Sequence, residues 1–340
     1  MLRCLQLAKN GLGTTYPNPL VGSVIVHNQK IIGEGWHYQA GQPHAEVLAI
    51  RSVKKPSLLP KSTLYVNLEP CSHFGKTPPC SDLIIQKGIK HIVIGTVDPF
   101  AEVSGNGIQK LLMAGCKVKV GIMEEECREL NKRFFTFHQK QRPYIILKWA
   151  ETSDGFIAPV SKKDRTPVWI TNSYSRQGVH RWRTEEQAIL VGNQTVIDDN
   201  PCLTARDWKG NNPVRVILDL SDKLSGDHSI FDPEAKTIVV THTTSNKSDF
   251  ENVVYEKISE KKPSVQTICS ILYRYNIQSI IIEGGQKTLQ SFIDASVWDE
   301  ARVFKSHAFL KEGINAPVLR QEFSKNSSFL QDNLSIYIHD

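Results

Sequence analysis

Short apolar runs and helix-spaced stretches take turns along the first 140 residues. LRCLQLAKNGLG predicts a short helix closed by glycine. VGSVIV and KIIGEGW predict two strands joined by a His-Asn-Gln-Lys turn. HAEVLAIRSV has helical spacing, TLYVNL reads as a buried strand, CSDLIIQKG as a helix ending at Gly88, and HIVIGTV as the next strand. GIQKLLMAG predicts a helix, KVKVGI a strand, and EEECRELNKRFFTFHQKQ one longer amphipathic helix. Strands alternating with helices imply a layered α/β sheet.

The pattern restarts at Arg142-Pro143. YIILKWA is an apolar strand, with GFIA as its expected hairpin partner. SYSRQGVHRWRTEE is helical, and QAILVG, VRVILDL and TIVVTH are strands. SIIIEGG runs into a double-glycine turn before the helix QKTLQSFIDAS, and late strands are expected at DEARVFKS and SIYIHD. Residues 244–263 are polar and predict a surface loop or connector. A charged, Pro-interrupted stretch separates two complete α/β patterns. It predicts a domain boundary near residue 142, giving domains 1–142 and 143–340.

Composition adds limits rather than chemistry. A chain of 340 residues suits two domains. The formal charge of +6 fits an anionic small molecule as well as nucleic acid and decides neither. Seven cysteines at scattered spacings argue against a disulfide scaffold and for a reducing compartment. No apolar run reaches the ~18 residues of a membrane helix, and the N-terminus lacks the apolar core and cleavage site of a signal peptide. A cytoplasmic protein with no membrane partner is the expectation.

The first chemical constellation is His44 and Glu46 opening a helix, then Cys71 and Cys80. One imidazole and two thiolates give three zinc ligands and leave the fourth tetrahedral position open. An open position is where zinc binds and acidifies water. Glu46, two residues after His44, stands near such a metal without ligating it and suits proton transfer. His-x-Glu followed by Pro-Cys and a second cysteine is the signature of zinc nucleobase deaminases. Taken singly, His-x-Glu is common on exposed helices and paired cysteines are often inert buried thiols. The usual second half is Pro-Cys-x-x-Cys, whereas here eight residues separate the cysteines. The insert must loop out and return, with Pro78-Pro79 stiffening the return and setting Cys80 at a helix start. It projects His73 and Lys76 toward the metal, a pair suited to phosphate.

PNPLVG (17–22), GEGWH (33–37), PHAEVLAI (43–50), LEPCSHFGKTPPC (68–80) and TVDP (96–99) together resemble the deaminase half of the bifunctional riboflavin biosynthesis proteins. The resemblance implies a cytidine-deaminase-like three-layer α/β/α domain. In it His44, Cys71 and Cys80 hold zinc, and Glu46 is the proton shuttle. Asn18, His37, His73, Lys76 and Asp98 are implied to line the substrate and its phosphate. One position departs: where the family usually has Asp-Pro-Asn-Pro, this chain has Asp98-Pro99-Phe100-Ala101, and Phe100 lacks asparagine's hydrogen-bonding groups.

The second half carries no Gly-x-Gly-x-x-Gly after a strand. Its strand, double glycine and helix (280–285 onward) make a plausible phosphate cradle. LKWAETSDG, VWIT, HRWR, ILVGNQTVIDDNPCLTAR, PVRVILD and IIIEGG resemble the reductase half of the same family. That implies a dihydrofolate-reductase-like α/β domain. Ala150, Trp169, Thr195, Asp199, Gly284 and Gly285 are implied NADPH contacts; Arg183, Leu203, Arg206 and Glu283 are implied substrate contacts. Paired arginines suit a ribose phosphate. Lys148 is the expected proton donor to the reduced sugar. The plainer readings are Trp169 as a core aromatic, Arg183 on a solvated helix face and Thr195 as a helix cap. Pro167 and Glu151 depart from the family's usual serine and small residue.

Both motif sets in one chain imply a bifunctional enzyme. Zinc-dependent deamination of 2,5-diamino-6-(5-phosphoribosylamino)pyrimidin-4-one is expected to precede NADPH-dependent reduction of the ribosyl group to ribityl phosphate. The expected partner is this small molecule rather than nucleic acid, in a homo-oligomer. A nucleic-acid base deaminase instead requires a basic, aromatic-rich surface; the lysines here are scattered. A structural zinc module makes Glu46 dispensable. A reductase that has lost deamination takes Phe100 as its motive.

Overall fold

The computed structural model describes residues 1–72, 78–100, 104–162, 165, 168–243 and 250–339. The chain divides into two compact units, Met1–Gln141 and Arg142–Asp340.

The first unit is built on β1 (Gly22–His27), β2 (Lys30–Trp36), β3 (Thr63–Leu68), β4 (His91–Thr96) and β5 (Lys117–Lys119), in the order β2-β1-β3-β4-β5. β1 is antiparallel to β2 and β3, and β3, β4 and β5 run parallel. Its helices are α1 (Leu2–Ala8), α2 (Ala45–Arg51), α3 (Cys80–Gln86), α4 (Asn106–Met113), α5 (Glu124–Leu130) and α6 (Lys132–Lys140). The period of two along a strand divides its side chains between two faces. Ile25, Leu64, Ile92 and Ile94 bury themselves against Ala49 and Ile50 of α2, Ile84 of α3 and Leu111 of α4. Val24 turns the other way, onto Cys4 and Leu7 of α1. Helices on both faces give three layers.

Two glycines set the approach of α2. A Cβ on Gly35 would lie 2.6 Å from the Leu48 Cβ, and one on Gly33 2.5 Å from the Ala49 carbonyl oxygen. α2 therefore lies directly on the backbone of β2. The single helix expected over 124–141 is two helices, broken at Asn131 (φ −100°, ψ 19°). The break has a cause: Asn131 Oδ1 accepts from Leu20 N (2.8 Å) and its Nδ2 donates to Leu20 O (3.0 Å). Asn67 joins the clamp, donating to Leu20 O (2.9 Å) and accepting from Gly22 N (2.7 Å).

The second unit contains β6 (Tyr144–Glu151), β7 (Phe156–Ala158), β8 (Ala188–Gly192), β9 (Val214–Leu218), β10 (Thr237–Thr241), β11 (Val253–Lys257), β12 (Ser279–Ile282), β13 (Glu300–Lys305), β14 (Ile314–Asn315), β15 (Lys325–Phe329) and β16 (Asp332–Ile338). Its helices are α7 (Ser173–Glu185), α8 (Asn193–Asp199), α9 (Val265–Arg274) and α10 (Gln286–Asp294). The large sheet runs β11-β10-β9-β8-β12-β6-β13-β16-β15. It is parallel from β11 to β13 and antiparallel at β16 and β15. Ile145, Leu147 and Trp149 of β6 pack with α9 and α10. Tyr144 and Ile146 face the opposite way, onto Trp182 of α7.

Two expectations fail here, and one helix was not anticipated. GFIA is not the hairpin partner of β6: β7 pairs with β14 in a separate two-stranded sheet. Both edges of β6 are already taken, by β12 and β13. Residues 244–263 are not wholly a connector, because 253–257 form β11, the outermost strand of the large sheet among the described residues. And α9, for which no element is expected above, buries Val265, Ile268, Cys269, Ile271 and Leu272 behind an N-cap in which Ser264 Oγ accepts from Thr267 N (3.0 Å). Among the described residues, no helix is long and apolar enough to cross a membrane.

Candidate active sites

In the first unit the C-terminal end of β3 and the starts of α2 and α3 converge. His44 is the N-cap residue of α2, and Cys71 follows β3 by three residues. Cys80 opens α3 behind Pro79, whose backbone leads into the helix. His44 Nδ1 lies 3.6 Å from Cys71 Sγ and 3.3 Å from Cys80 Sγ, and the three donor atoms lie within 4.8 Å of one another. The Cys80 backbone N–H donates to Cys71 Sγ (3.3 Å), which favours the thiolate. A hydrogen bond from Cys80, with burial opposing it, draws the Cys71 thiol down to about 4. Giving that bond pushes Cys80 up, and burial adds to the rise. A divalent cation bound here would take the place of the proton Cys80 shares with Cys71 and be held by both sulfurs as thiolates. The soft-donor set fits zinc.

Glu46 is buried in the first turn of α2 (3% exposed). Burial pushes its carboxyl up to about 7, while His44 pulls the other way. His37 is also buried and is pushed down by burial, so it is neutral. Its Nδ1 contacts Pro43 O (3.2 Å), which fixes the proton there, and its Nε2 accepts from Asn18 Nδ2 (3.0 Å). Its ring meets that of His44 edge-on at 5.4 Å. Asn18 and His37 thus form one hydrogen-bonded pair beside His44. Asp98 is buried, and its Oδ1 accepts from Phe100 N (2.8 Å), the bond of an Asx turn. The Phe100 ring packs against His138 at 5.0 Å. His73 and Lys76 lie outside the described residues, as does Pro167.

In the second unit Lys148 of β6, Arg183 of α7 and Glu283 after β12 meet. Arg183 grips Glu283 through two hydrogen bonds, Nε to Oε1 (3.1 Å) and Nη2 to Oε2 (2.8 Å). Lys148 Nζ stands 4.0 Å from Glu283 Oε2. Burial raises the Glu283 carboxyl, but Arg183 and then Lys148 outweigh it and hold it at about 2. Burial pushes Lys148 down. Arg183 is therefore not on a solvated face. It also donates to Thr204 O (3.0 Å), next to Leu203, which takes the left-handed φ of +55°.

The double-glycine turn packs closely against β8. A Cβ on Gly284 would strike the Val191 Cα at 2.5 Å, and one on Gly285 (φ +39°) would approach Thr195 Oγ1 to 3.5 Å. Gly284, Gly285 and Thr195 thus share one turn-and-helix corner, with Gly285 as the N-cap of α10. The N-cap of α8 is Gly192, so Thr195 is not a cap. Asp199 is ion-paired to Lys162. Ala150 packs beside Val179 and Phe304. Trp169 is no core aromatic; it is 56% exposed, with the Arg176 guanidinium 4.2 Å over its ring. Arg206 is exposed. Glu151 accepts from the Trp149 indole (3.0 Å), so its carboxylate is tied within β6.

Sequence patterns did not point to two side chains here. Asp207 N donates to His180 Nδ1 (3.2 Å), and burial followed by Arg183 lowers His180 to about 4, keeping it neutral beside the cluster. Glu69 is buried and accepts four backbone N–H groups. Its place directly before Pro70-Cys71 was its only sequence signal.

Two families match the chain in tandem. The cytidine and deoxycytidylate deaminase zinc-binding region matches residues 1–96, and the RibD C-terminal domain matches residues 143–320. The riboflavin biosynthesis protein RibD of Aquifex aeolicus is 42% identical over 325 residues, covering 93% of this chain and 88% of that protein. That of Synechocystis is 41% identical, covering 93% and 86%. Among solved structures, the Thermotoga maritima diaminohydroxyphosphoribosylaminopyrimidine deaminase/5-amino-6-(5-phosphoribosylamino)uracil reductase is 39% identical, covers 100% of this chain and 97% of its own, and has a TM-score of 0.88. Acinetobacter baumannii RibD is 32% identical, covers 99% and 97%, and has a TM-score of 0.90.

Proposed function

The chain belongs to the RibD family of bifunctional deaminase–reductases of riboflavin biosynthesis, and from that premise we propose how its own residues divide the two reactions. The deaminase half removes the 2-amino group of 2,5-diamino-6-(5-phosphoribosylamino)pyrimidin-4-one. The reductase half converts the ribosyl group of the product to ribityl phosphate at the expense of NADPH. One observation supports this most: His44, Cys71 and Cys80 bring three donor atoms within 4.8 Å of one another near the buried Glu46, in a chain that also carries the Lys148–Arg183–Glu283 cluster.

His44, Cys71 and Cys80 would hold zinc, which when bound would supply a water made nucleophilic at neutral pH. Glu46 takes the proton from the attacking water and passes it to the departing amine. Asn18 and His37 orient the pyrimidine from a fixed, neutral pair. Asp98, with His73 and Lys76 of the zinc-loop insert, completes the grip on the substrate and its phosphate. NADPH, when bound, would supply the hydride for C1′ of the sugar. Ala150, Trp169, Thr195, Asp199 and the Gly284-Gly285 turn hold it, and Arg183, Leu203, Arg206 and Glu283 hold the substrate. Lys148, lowered by burial, delivers the proton that accompanies reduction of the sugar. A cytoplasmic setting, expected from the scattered cysteines and the lack of a membrane-length apolar run, and a homo-oligomer belong to this proposal.

The test is to supply the purified chain with the pyrimidine phosphate and NADPH. Ammonia release and loss of NADPH absorbance are both expected, and seeing neither sinks the reading. Chelation separates the two reactions. EDTA is expected to abolish ammonia release and leave reduction of the deaminated compound within about twofold. Equal loss of both refutes the independence of the two sites.

A further inference from the structure

Glu69 stands between a zinc ligand and the loop that carries Asp98. Its Oε1 accepts from Gly107 N (2.9 Å) and Ile108 N (3.2 Å), in the first turn of α4. Its Oε2 accepts from Gly105 N (3.0 Å) and Asp98 N (3.3 Å). A carboxylate at a helix start satisfies backbone N–H groups that have no helical partner. This one does so from another element: it follows β3, almost forty residues before α4. The two elements also touch without a gap, since a Cβ on Gly107 would lie 2.1 Å from the Pro70 carbonyl oxygen. Glu69 is 4% exposed. Water therefore offers little replacement for any bond it loses.

We propose that Glu69 is a positioning residue for deamination: by holding the Asp98 backbone and the start of α4 against the end of β3, it sets where Asp98 stands relative to the zinc ligands. The proposal rests on the reading of Asp98 as a substrate contact. The hydrogen bonds described for Glu69 go to backbone N–H groups, Asp98's among them, and the proposed action runs through Asp98. Glu69→Gln keeps the shape and one oxygen. That oxygen best serves Gly107 and Ile108, leaving an amide N–H₂ facing the N–H groups of Gly105 and Asp98. Two donors then oppose a donor, and the Asp98 segment shifts.

The experiment is a double-mutant cycle in the full-length chain, using Glu69→Gln, Asp98→Ala and both together. Zinc content and reductase rate are followed in every variant. Glu69→Gln is expected to raise the deaminase KM roughly tenfold with kcat within about twofold, zinc unchanged and reduction unchanged. Asp98→Ala should raise KM by at least as much, and the double variant should match Asp98→Ala within about twofold, because both changes remove one effect. Multiplying effects in the double variant overturn the coupling and leave the Asp98 assignment standing. A normal KM in Asp98→Ala removes both the assignment and the coupling. Loss of zinc in Glu69→Gln means that the carboxylate works through Cys71, which also overturns the proposal.

Discussion

Glu46→Gln is expected to lower the rate of deamination by about 10²–10⁴-fold, the usual share of a positioned acid–base group, with zinc content unchanged. The reasoning is geometric. Three donor atoms converge and Glu46 is not among them, so the amide should not loosen the metal. Glutamine matches glutamate in size and fits the buried site at the start of α2. It cannot accept a proton from water and return it to the leaving amine. NADPH-dependent reduction of the already deaminated compound should continue at the normal rate. Metal analysis alongside an ammonia assay decides the matter: normal ammonia release from Glu46→Gln removes the assigned shuttle, and loss of zinc moves Glu46 into the ligand shell.

Glu283→Ala should have the larger structural effect. Removing it leaves Arg183 and Lys148 buried side by side without their shared counter-charge. Breaking a buried pair in this way costs about 3–5 kcal/mol. The transition of the reductase half in a denaturant titration should fall accordingly, and NADPH oxidation should be lost while ammonia release persists. Glu283→Gln keeps the volume and separates charge from packing; a normal reductase rate in that variant contradicts the assignment. Acid gives a second measurement. The carboxyl is held at about 2 in the folded protein, below an unfolded value of roughly 4.3. Its contribution is therefore complete above that unfolded value and is lost as pH falls toward the folded one. The Glu283 variants should show a weaker acid dependence over that window.

Sequence patterns carried the sites further than the strand pairings. The grouping of His44, Cys71 and Cys80 was legible because metal chemistry restricts residue type and a strand-to-helix setting restricts position. Their convergence follows from β3, α2 and α3 forming where the apolar spacing put them. Asn131 was not legible as a break. Its helical neighbours continue the amphipathic pattern, and the clamp on Leu20 lies 111 residues away. The GFIA hairpin failed for a similar reason. Local alternation marks a strand, but what it pairs with depends on which edges distant strands have already taken. β11 was hidden because its short Val253-Val254-Tyr255 run sits among polar and charged neighbours. Glu69 shows the limit most clearly: its four partners are backbone groups, which have no residue signature to read.

The central place of β6 also bears on the order in which the protein is made. Lys148 lies on a strand whose neighbours, β12 and β13, arrive only with residues 279–282 and 300–305. The strands and ligands of the deaminase half, in contrast, are all present once residue 141 has been synthesised. Domains fold as units during synthesis, and parallel pairing between distant strands is slow. On the ribosome, the zinc site can thus be complete while the reductase sheet still lacks its middle. The half that needs an early supply of metal is the half that emerges first.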